Sequence, residues 1–424
     1  MNEIVALLNA HPEVDDYKIN IRRKESDERF FVKGKLETVR HTDTCDKEVT
    51  VYVDHGECKG DSQFLVYPST TEEQLKELID QTVQKAKLIS NQMYTLPEGA
   101  KGEYAVATNF ADMDANSLMN AVCNAVFSAN DLENADLNSV EVFINCHTGT
   151  VINSKGMYKT QVRYDAMVEA IPTYNGQTQS VELYQQYNFS DYSEAQIQAE
   201  IREKLQEVKA RYEAITPDFP MDCKVILNKL ELSELMSNIV YDLNYAAVYA
   251  HANLFKKGDA VQKAPVGDKL QIFMEGAYRG CTASACFDAD GLDLSSIQVV
   301  KDGVAVNYYG ANRHGQYLGE TPTGSLPVIR VEPGSVKAEE LQEGPYLEVI
   351  SMSGLQVDFY NDYIGGEVRL AYYNDGNKTV PVTGISITGS ASKVLSSIRF
   401  SNEIVVCDRY AGPHKAILQD MKVF

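Results

Sequence analysis

The side chains best suited to bind a metal or to act as a general base in this chain are its seven histidines, and they are widely spread. No two of them stand three or four residues apart, the spacing that places two imidazoles on one face of a helix. A zinc-binding helix also needs a carboxylate nearby to activate water. His251 is the only histidine in the apolar-patterned segment Leu230 to Asp259. We therefore interpret it as a surface or hydrogen-bonded structural residue.

The eight cysteines are also scattered, with no C-x-x-C pair. Cys281 and Cys286 are closest in sequence, but a C-x4-C spacing without a second pair is a weak zinc signal. In a chain of this size the pattern is typical of reduced, mostly buried thiols. We expect no disulfide framework and no cofactor held by cysteine.

Two short motifs suggest chemistry but lack the residues that would complete it. The segment Asp288 to Asp293 resembles a calcium loop, yet its glycine, Gly291, comes at the fourth position and no glutamate closes the loop. We expect a turn there. Ser390 to Lys393 matches S-x-x-K without the accompanying K-T-G or S-D-N. The chain also has no glycine-rich phosphate loop.

The pattern of the first 216 residues predicts a β-sheet with helices packed against it. Short runs of alternating apolar and polar residues from Tyr17 to Val66 predict a small antiparallel sheet. After Pro68, Thr70 is expected to cap a helix to which Glu73 reaches back. A second helix is predicted from about Asn116 to Ala129.

Asn153-Ser154-Lys155-Gly156 predicts a hairpin turn between two further strands. A third helix is expected after Ser193, which begins an S-x-x-Q capping pattern. Two prolines within Thr216 to Pro220 mark a domain boundary. We predict an α+β fold of two domains: residues 1–216 form an N-terminal α/β domain with an antiparallel sheet, and residues 217–424 form a C-terminal, mainly antiparallel β domain.

The C-terminal part opens with an amphipathic segment. From Leu230 to Asp259, apolar residues recur every three or four positions, which predicts one long helix packed against a core. From Lys269 onward, β-branched residues, glycine and tyrosine dominate, and Asn374-Asp375-Gly376 predicts a hairpin.

Composition limits the classes of partner. The 39 basic and 60 acidic residues give a net charge of −21, which opposes binding to nucleic acid or to an anionic membrane surface. The N-terminus has no basic leader pattern, and no apolar run reaches the roughly 18 residues of a membrane-spanning helix. We expect a cytoplasmic protein with no nucleic-acid or membrane partner.

Taken together, an ordered series of weak motifs resembles the TldD/PmbA family, which is also called modulator of DNA gyrase. The order and spacing agree from about residue 17 to the C-terminus. The matching segments are Val151–Gly156 ("NS-x-G"), Phe287–Gly291 with Val299–Val304, Thr323–Ser325 with Val331–Gly334, Val382–Gly389, and Gly412–Ile417.

This resemblance implies a link to cytoplasmic metallopeptidases that mature or degrade peptides. TldD-type members carry H-E-x-x-x-H on a helix and a later cysteine as a third zinc ligand, whereas PmbA-type members, also called TldE, lack the histidines and pair with a TldD-type subunit. Here the approximate equivalents of the motif positions are Tyr241, Asp242 and Ala246. Neither Tyr241 nor Ala246 can replace an imidazole, so no catalytic or metal-binding residue is carried over.

Cys407 lies near the place of the family's cysteine, but its neighbours are not glycine-rich. The leading hypothesis is a PmbA/TldE-like, non-catalytic subunit that pairs with a TldD-like metal-bearing subunit and contributes to peptide maturation or proteolysis. One alternative is an active peptidase with a divergent site that uses Asp242, His251 and Cys407. Another is a homodimeric peptide-binding protein with no catalytic partner.

Overall fold

The computed structural model describes residues 2–424, and the N-terminal half of the chain builds one large sheet with helices on one side. A short 3₁₀ helix covers Asn109–Asp112. The other elements, in chain order, are α1 (Asn2–Ala10), β1 (Asp16–Val32), β2 (Lys35–His55), β3 (Cys58–Val66), α2 (Glu72–Ala86), β4 (Asn91–Gln92), β5 (Lys101–Ala105), α3 (Ala115–Ser128), β6 (Ala135–Asn153), β7 (Tyr158–Asn175), β8 (Ser180–Glu182), β9 (Gln185–Phe189) and α4 (Glu194–Glu213).

The strand order of this sheet is β4-β3-β2-β1-β6-β7-β5, with β8 and β9 also pairing with β7. All pairs are antiparallel except that of β5 with β7. The predicted hairpin between β6 and β7 is confirmed, and Gly156 closes its turn with a φ of +86°. A positive φ of this kind suits glycine, which has no Cβ to clash with the backbone.

The two faces of the sheet differ in chemistry because side chains alternate along each strand. On one face, apolar residues such as Ile19 and Val49 pack against α1 and α2, and Val142 and Val168 pack against α3 and α4. Polar and charged side chains cover much of the opposite face. That polar face is turned toward the C-terminal half of the chain.

The predicted helix starts are confirmed in two cases and shifted in one. Ser193 caps α4 as expected, since its side chain accepts from Gln196 N at 3.4 Å, and α3 lies within one residue of its predicted bounds. For α2 the prediction of a Thr70 cap is wrong by one residue. Thr71 is the cap, with Gln74 as its reciprocal partner, because Thr70 already accepts from Tyr67 N to close the preceding turn.

The C-terminal half contains mostly short strands. Its elements are β10 (Lys224–Asn228), α5 (Lys229–Asp242), α6 (Tyr245–Tyr249), β11 (Ile272–Glu275), β12 (Ile297–Lys301), β13 (Val304–Ala305), α7 (Asn312–Tyr317), β14 (Val328–Val331), α8 (Ala338–Leu341), β15 (Tyr346–Met352), β16 (Gln356–Asp358), β17 (Tyr363–Asn374), β18 (Thr379–Val382), β19 (Ile385–Gly389), α9 (Ala391–Ser397), β20 (Arg399–Phe400), β21 (Ile404–Cys407), β22 (Tyr410–Pro413), β23 (Lys415–Leu418) and β24 (Lys422–Val423).

These strands form two sheets. One has the order β20-β23-β10-β15-β17-β19-β24, with β16 and β18 on β17, and the other has the order β13-β12-β11-β14-β22-β21. Only the β10–β15 and β14–β22 pairs are parallel, so the expectation of a mainly antiparallel half is confirmed. The hairpin at Asn374 to Gly376 is also present, between β17 and β18. The apolar face of α5 packs in the core between the two sheets, with Leu232, Leu235 and Ile239 fully buried.

The prediction of one helix from Leu230 to Asp259 is wrong. The helix ends at Asp242, a short second helix starts at Tyr245, and the rest of the segment is irregular. Because the helical phase restarts, Ala246 and Ala250, which were expected on the buried face, are exposed.

The N-terminal 216 residues end in α4, and β10 starts at Lys224. The boundary at residues 216 and 217 stays a prediction. Among the helices in residues 2–424, none combines the length and apolarity needed to cross a lipid bilayer.

Candidate functional site

The positions that the sequence analysis predicts to be equivalent to a zinc-binding motif, Tyr241, Asp242 and Ala246, lie at the junction of α5 and α6. Tyr241 stands in the last turn of α5, with its side chain 68% exposed, and Ala246 lies in the first turn of α6. Asn244 separates the two helices because its side chain accepts from Ala246 N at 3.0 Å and so starts α6 afresh. Tyr241 and Ala246 are therefore not part of one continuous helix.

Asp242 is buried beside them, and its carboxylate holds the loop that follows α6. Its two oxygens accept from the backbone N–H groups of Leu254 and Phe255, each at 2.7 Å. Burial raises the pKa of this carboxyl, while the two N–H groups oppose the shift because they favour the charged form. Since both oxygens are engaged, Asp242 acts here as an anchor for the backbone.

A zinc site does not fit these residues. Tyr241 offers only a solvent-exposed phenol, and Ala246 has no ligand atom. His251 lies in the turn after α6, exposed and with a φ of +54°. Within residues 2–424, no three His, Cys, Asp or Glu side chains lie close enough together to hold a metal ion, and Asp242, His251 and Cys407 do not form such a group.

Cys407, the candidate third ligand, ends β21 and packs against the core. Burial raises the pKa of its thiol to about 11, although the nearby Lys229 ammonium favours the thiolate. Lys229 begins α5, whereas Tyr241 is twelve residues further along, which is roughly 18 Å of helix. The surroundings of Cys407 are therefore those of a protonated core thiol.

Next to Tyr241 lies a small pocket of about 310 Å³, which Arg409 lines and Cys407 does not. The exposed Arg409 follows Cys407 by two residues, in the turn between β21 and β22. Its guanidinium forms no hydrogen bond or ion pair with any other residue that the structure describes. The pocket is lined by Glu234, Ser237, Asn238, Val240, Tyr241, Met274, Tyr309, Leu326, Pro327, Ile329 and Arg409.

The sequence reasoning missed Arg409 as a candidate. The one available signal was that Asp408-Arg409-Tyr410 stands where a glycine-rich segment was expected.

A larger cleft of about 830 Å³ lies between the polar face of the N-terminal sheet and loops of the C-terminal half. It shares Pro327 with the small pocket, so the two are neighbours. Gln161 on β7 holds the two halves together here, since its amide donates to Phe287 O at 3.0 Å and accepts from Cys286 N at 2.8 Å.

Lys159, which is almost fully buried, adds further bonds across the same junction. Its ammonium donates to Gly291 O at 2.9 Å and to Asp293 Oδ1 at 2.8 Å. The predicted turn at Asp288 to Asp293 is confirmed, and Asp288 stabilises it by accepting from the backbone N–H groups of Asp290 and Leu292. The loop that resembled a calcium site is thus a wall of the cleft.

Residues 220–423 match the family described as the PmbA/TldA metallopeptidase C-terminal domain. No curated protein matches the chain significantly.

Three solved structures have the same fold over nearly their whole length. The chain resembles TldE from Thermococcus kodakarensis with a TM-score of 0.78 at 14% identity, covering 97% of each chain. It resembles a protein from Thermotoga maritima described as a modulator of a DNA gyrase with a TM-score of 0.76 at 16% identity, covering 100% of this chain and 99% of the other. A similarly described protein from Bacteroides thetaiotaomicron gives 0.77 at 13% identity, with 100% and 96% covered. At these identities the likeness establishes the fold.

Proposed function

Because the chain belongs to the TldD/PmbA family, we propose that it is the non-catalytic, TldE-like subunit of a cytoplasmic TldD-type metallopeptidase complex acting on peptides. One observation carries the proposal: the fold is retained, while the junction of α5 and α6 offers no set of metal ligands. Tyr241 and Ala246, the approximate equivalents of the two histidines, offer no imidazole, and both carboxylate oxygens of Asp242 accept hydrogen bonds from the backbone of Leu254 and Phe255.

The other candidate ligand positions near this junction are also unsuited to zinc. The neighbouring pocket contains the guanidinium of Arg409, and the thiol of Cys407 is buried with a raised pKa. A catalytic zinc needs three protein ligands and an open position for water. On this proposal, a partner that carries H-E-x-x-x-H catalyses hydrolysis, and this chain contributes residues that contact the partner or bind the peptide.

The test is reconstitution. We expect the affinity-tagged chain, isolated from its own host, to bring down a chain with H-E-x-x-x-H in near-stoichiometric amount. Peptide hydrolysis should require both chains, with each purified chain assayed alone as the control for contaminating peptidases. Stoichiometric zinc in this chain alone, together with peptide hydrolysis by it, would overturn the proposal in favour of an active peptidase with a divergent site.

The large cleft favours a second candidate, a peptide-binding protein that assembles only with itself. Its volume of about 830 Å³ is in the range of sites for small molecules and short peptides. Recovery of only self-associated chains from the host, with peptide binding but no hydrolysis, would support this candidate over the first. Binding to nucleic acid is not proposed, since the net charge of −21 opposes it.

A further inference from the structure

The large cleft is electrostatically unlike the rest of the chain. Its lining includes six of the 39 basic residues and five of the 60 acidic residues, so its formal charge is slightly positive in a protein with a net charge of −21. Most of the basic residues are compensated locally. Lys18 pairs with Asp290, Arg22 with Glu48 at 3.1 Å, Arg23 with Asp43 at 2.8 Å, and Arg313 lies 4.0 Å from Asp61.

Lys24 and Arg163 are the two basic lining residues without a carboxylate partner in residues 2–424. They stand on either side of His147 in one cross-strand row, because Lys24 on β1 is opposite His147 on β6, and His147 is opposite Arg163 on β7. The Cβ atoms of residues directly opposite each other on one face lie about 4.5 to 5.5 Å apart. The three nitrogen-bearing groups therefore face one small volume of the cleft.

The three side chains of this row differ in how many contacts they make with the rest of the protein. The Arg163 guanidinium is fixed from one side, where its Nη1 donates to Thr282 O at 2.8 Å, and its other N–H groups have no partner in the described residues. His147 Nε2 lies 2.7 Å from Asp165 Oδ2, although no hydrogen bond joins the two atoms. The Lys24 ammonium is exposed.

The next row of the sheet is closed to a ligand. Ser26 and Asn145 are opposite each other there and are only 1% and 4% exposed, and Asn145 Nδ2 donates to Asp165 Oδ1 at 2.7 Å. On the other side of the Lys24 row, Gly149 leaves the floor of the cleft open, since a Cβ built there would touch only Gln161. A ligand can thus reach the sheet beside the three groups.

We propose that Lys24, His147 and Arg163 bind the C-terminal carboxylate of a peptide that lies in the cleft. A carboxylate accepts charge-assisted hydrogen bonds from an ammonium and from a planar guanidinium, and its single negative charge offsets part of the repulsion between these two positive charges. The choice of a peptide as ligand rests on the proposed function, whereas the preference for an anionic oxygen group rests on the row itself.

The experiment measures binding to the full chain alone by fluorescence polarisation. Two probes are used: a randomised tetrapeptide pool labelled with fluorescein at the N-terminus, with a free C-terminal carboxylate, and the same pool as C-terminal amides. We expect the acid pool to bind about tenfold more tightly than the amide pool. Lys24→Gln should remove most of this difference without loss of folding, because Lys24 has no partner within the described residues. Arg163→Gln should do the same, with folding checked by thermal unfolding.

Lys101→Gln is the matched control, since Lys101 is an exposed lysine on β5 of the same sheet and outside the cleft. It should leave both affinities unchanged. Equal binding of acid and amide pools, no binding up to about 1 mM, or an unchanged preference in Lys24→Gln would each overturn the proposal. So would Lys24-dependent binding of inorganic phosphate with no preference for the acid pool. Because no partner is present, these outcomes are independent of whether a catalytic partner exists.

Discussion

Glu231, in the first turn of α5, carries a buried carboxyl group whose Oε2 atom has no hydrogen-bond partner among residues 2–424. Burial raises its pKa to about 7; its own backbone N–H and the Lys204 ammonium oppose the shift, whereas Glu207 reinforces it. These two neighbours lie on α4, so Glu231 sits where the N-terminal and C-terminal halves of the chain meet. Burial away from water favours the neutral form of a carboxyl group.

This shift makes the stability of the protein depend on pH in a defined direction. Between about pH 4.5 and 7 the folded protein keeps a proton on Glu231 that the unfolded chain releases. The associated stability is complete below 4.5 and is lost as the pH rises through 7. We expect Glu231→Gln, which is neutral at every pH, to match the wild type in acid and to exceed its free energy of unfolding by up to about 3 kcal/mol near pH 8.

Urea unfolding of both proteins across this pH range checks the expectation. Glu234→Gln is the control, because Glu234 lies on the same helix, is exposed, and should leave the pH profile unchanged. Parallel profiles for wild type and Glu231→Gln would show that Glu231 is already charged in the folded protein.

At the scale of elements, the interruption between α5 and α6 decides what the candidate site can do. The double change Tyr241→His with Ala246→His places an imidazole at each of the two predicted motif positions. We expect it to bind no stoichiometric zinc, because the two positions lie on separate helices and a catalytic zinc also needs a third protein ligand.

Metal analysis after dialysis measures this directly, with the wild type as control. A double variant that retains one zinc per chain, and loses it on a further Cys407→Ser change, would contradict the expectation. That result would mean that Cys407 reaches the end of α5 despite its position near Lys229.

At the scale of the whole molecule, the cleft exists because a few side chains of β7 bind the backbone of the C-terminal half. Gln161 is the clearest of these, since both ends of its amide bond to the loop at Cys286 and Phe287. Gln161→Leu keeps the size of the side chain but leaves a backbone donor and an acceptor unpaired. We expect a loss of about 1 to 3 kcal/mol in the free energy of unfolding and faster proteolysis of the loop after Cys281.

Chemical unfolding and limited proteolysis are the measurements. Gln177→Leu, at an exposed loop position of the N-terminal half, is the matched control and should change neither. Unchanged stability and proteolysis in Gln161→Leu would show that the halves are held by the Lys159 contacts without Gln161.

The sequence by itself determined the features that depend on neighbouring residues. Alternation and turn residues located the antiparallel strands and the hairpins at Asn153 and Asn374, and Ser193 located the start of α4. Residue types also ruled out imidazole ligands at positions 241 and 246. Local rules apply here because strand period, turn geometry and caps are set within a few residues.

Only the tertiary structure decided where the helix after β10 ends and which groups meet. Asp242 is an anchor because a loop twelve residues later supplies its two N–H partners. Arg409 enters the pocket of Tyr241, and Lys24, His147 and Arg163 form one row, because the register of strands far apart in sequence brings them together. Such long-range pairings are fixed by packing of the whole chain, and no local pattern records them.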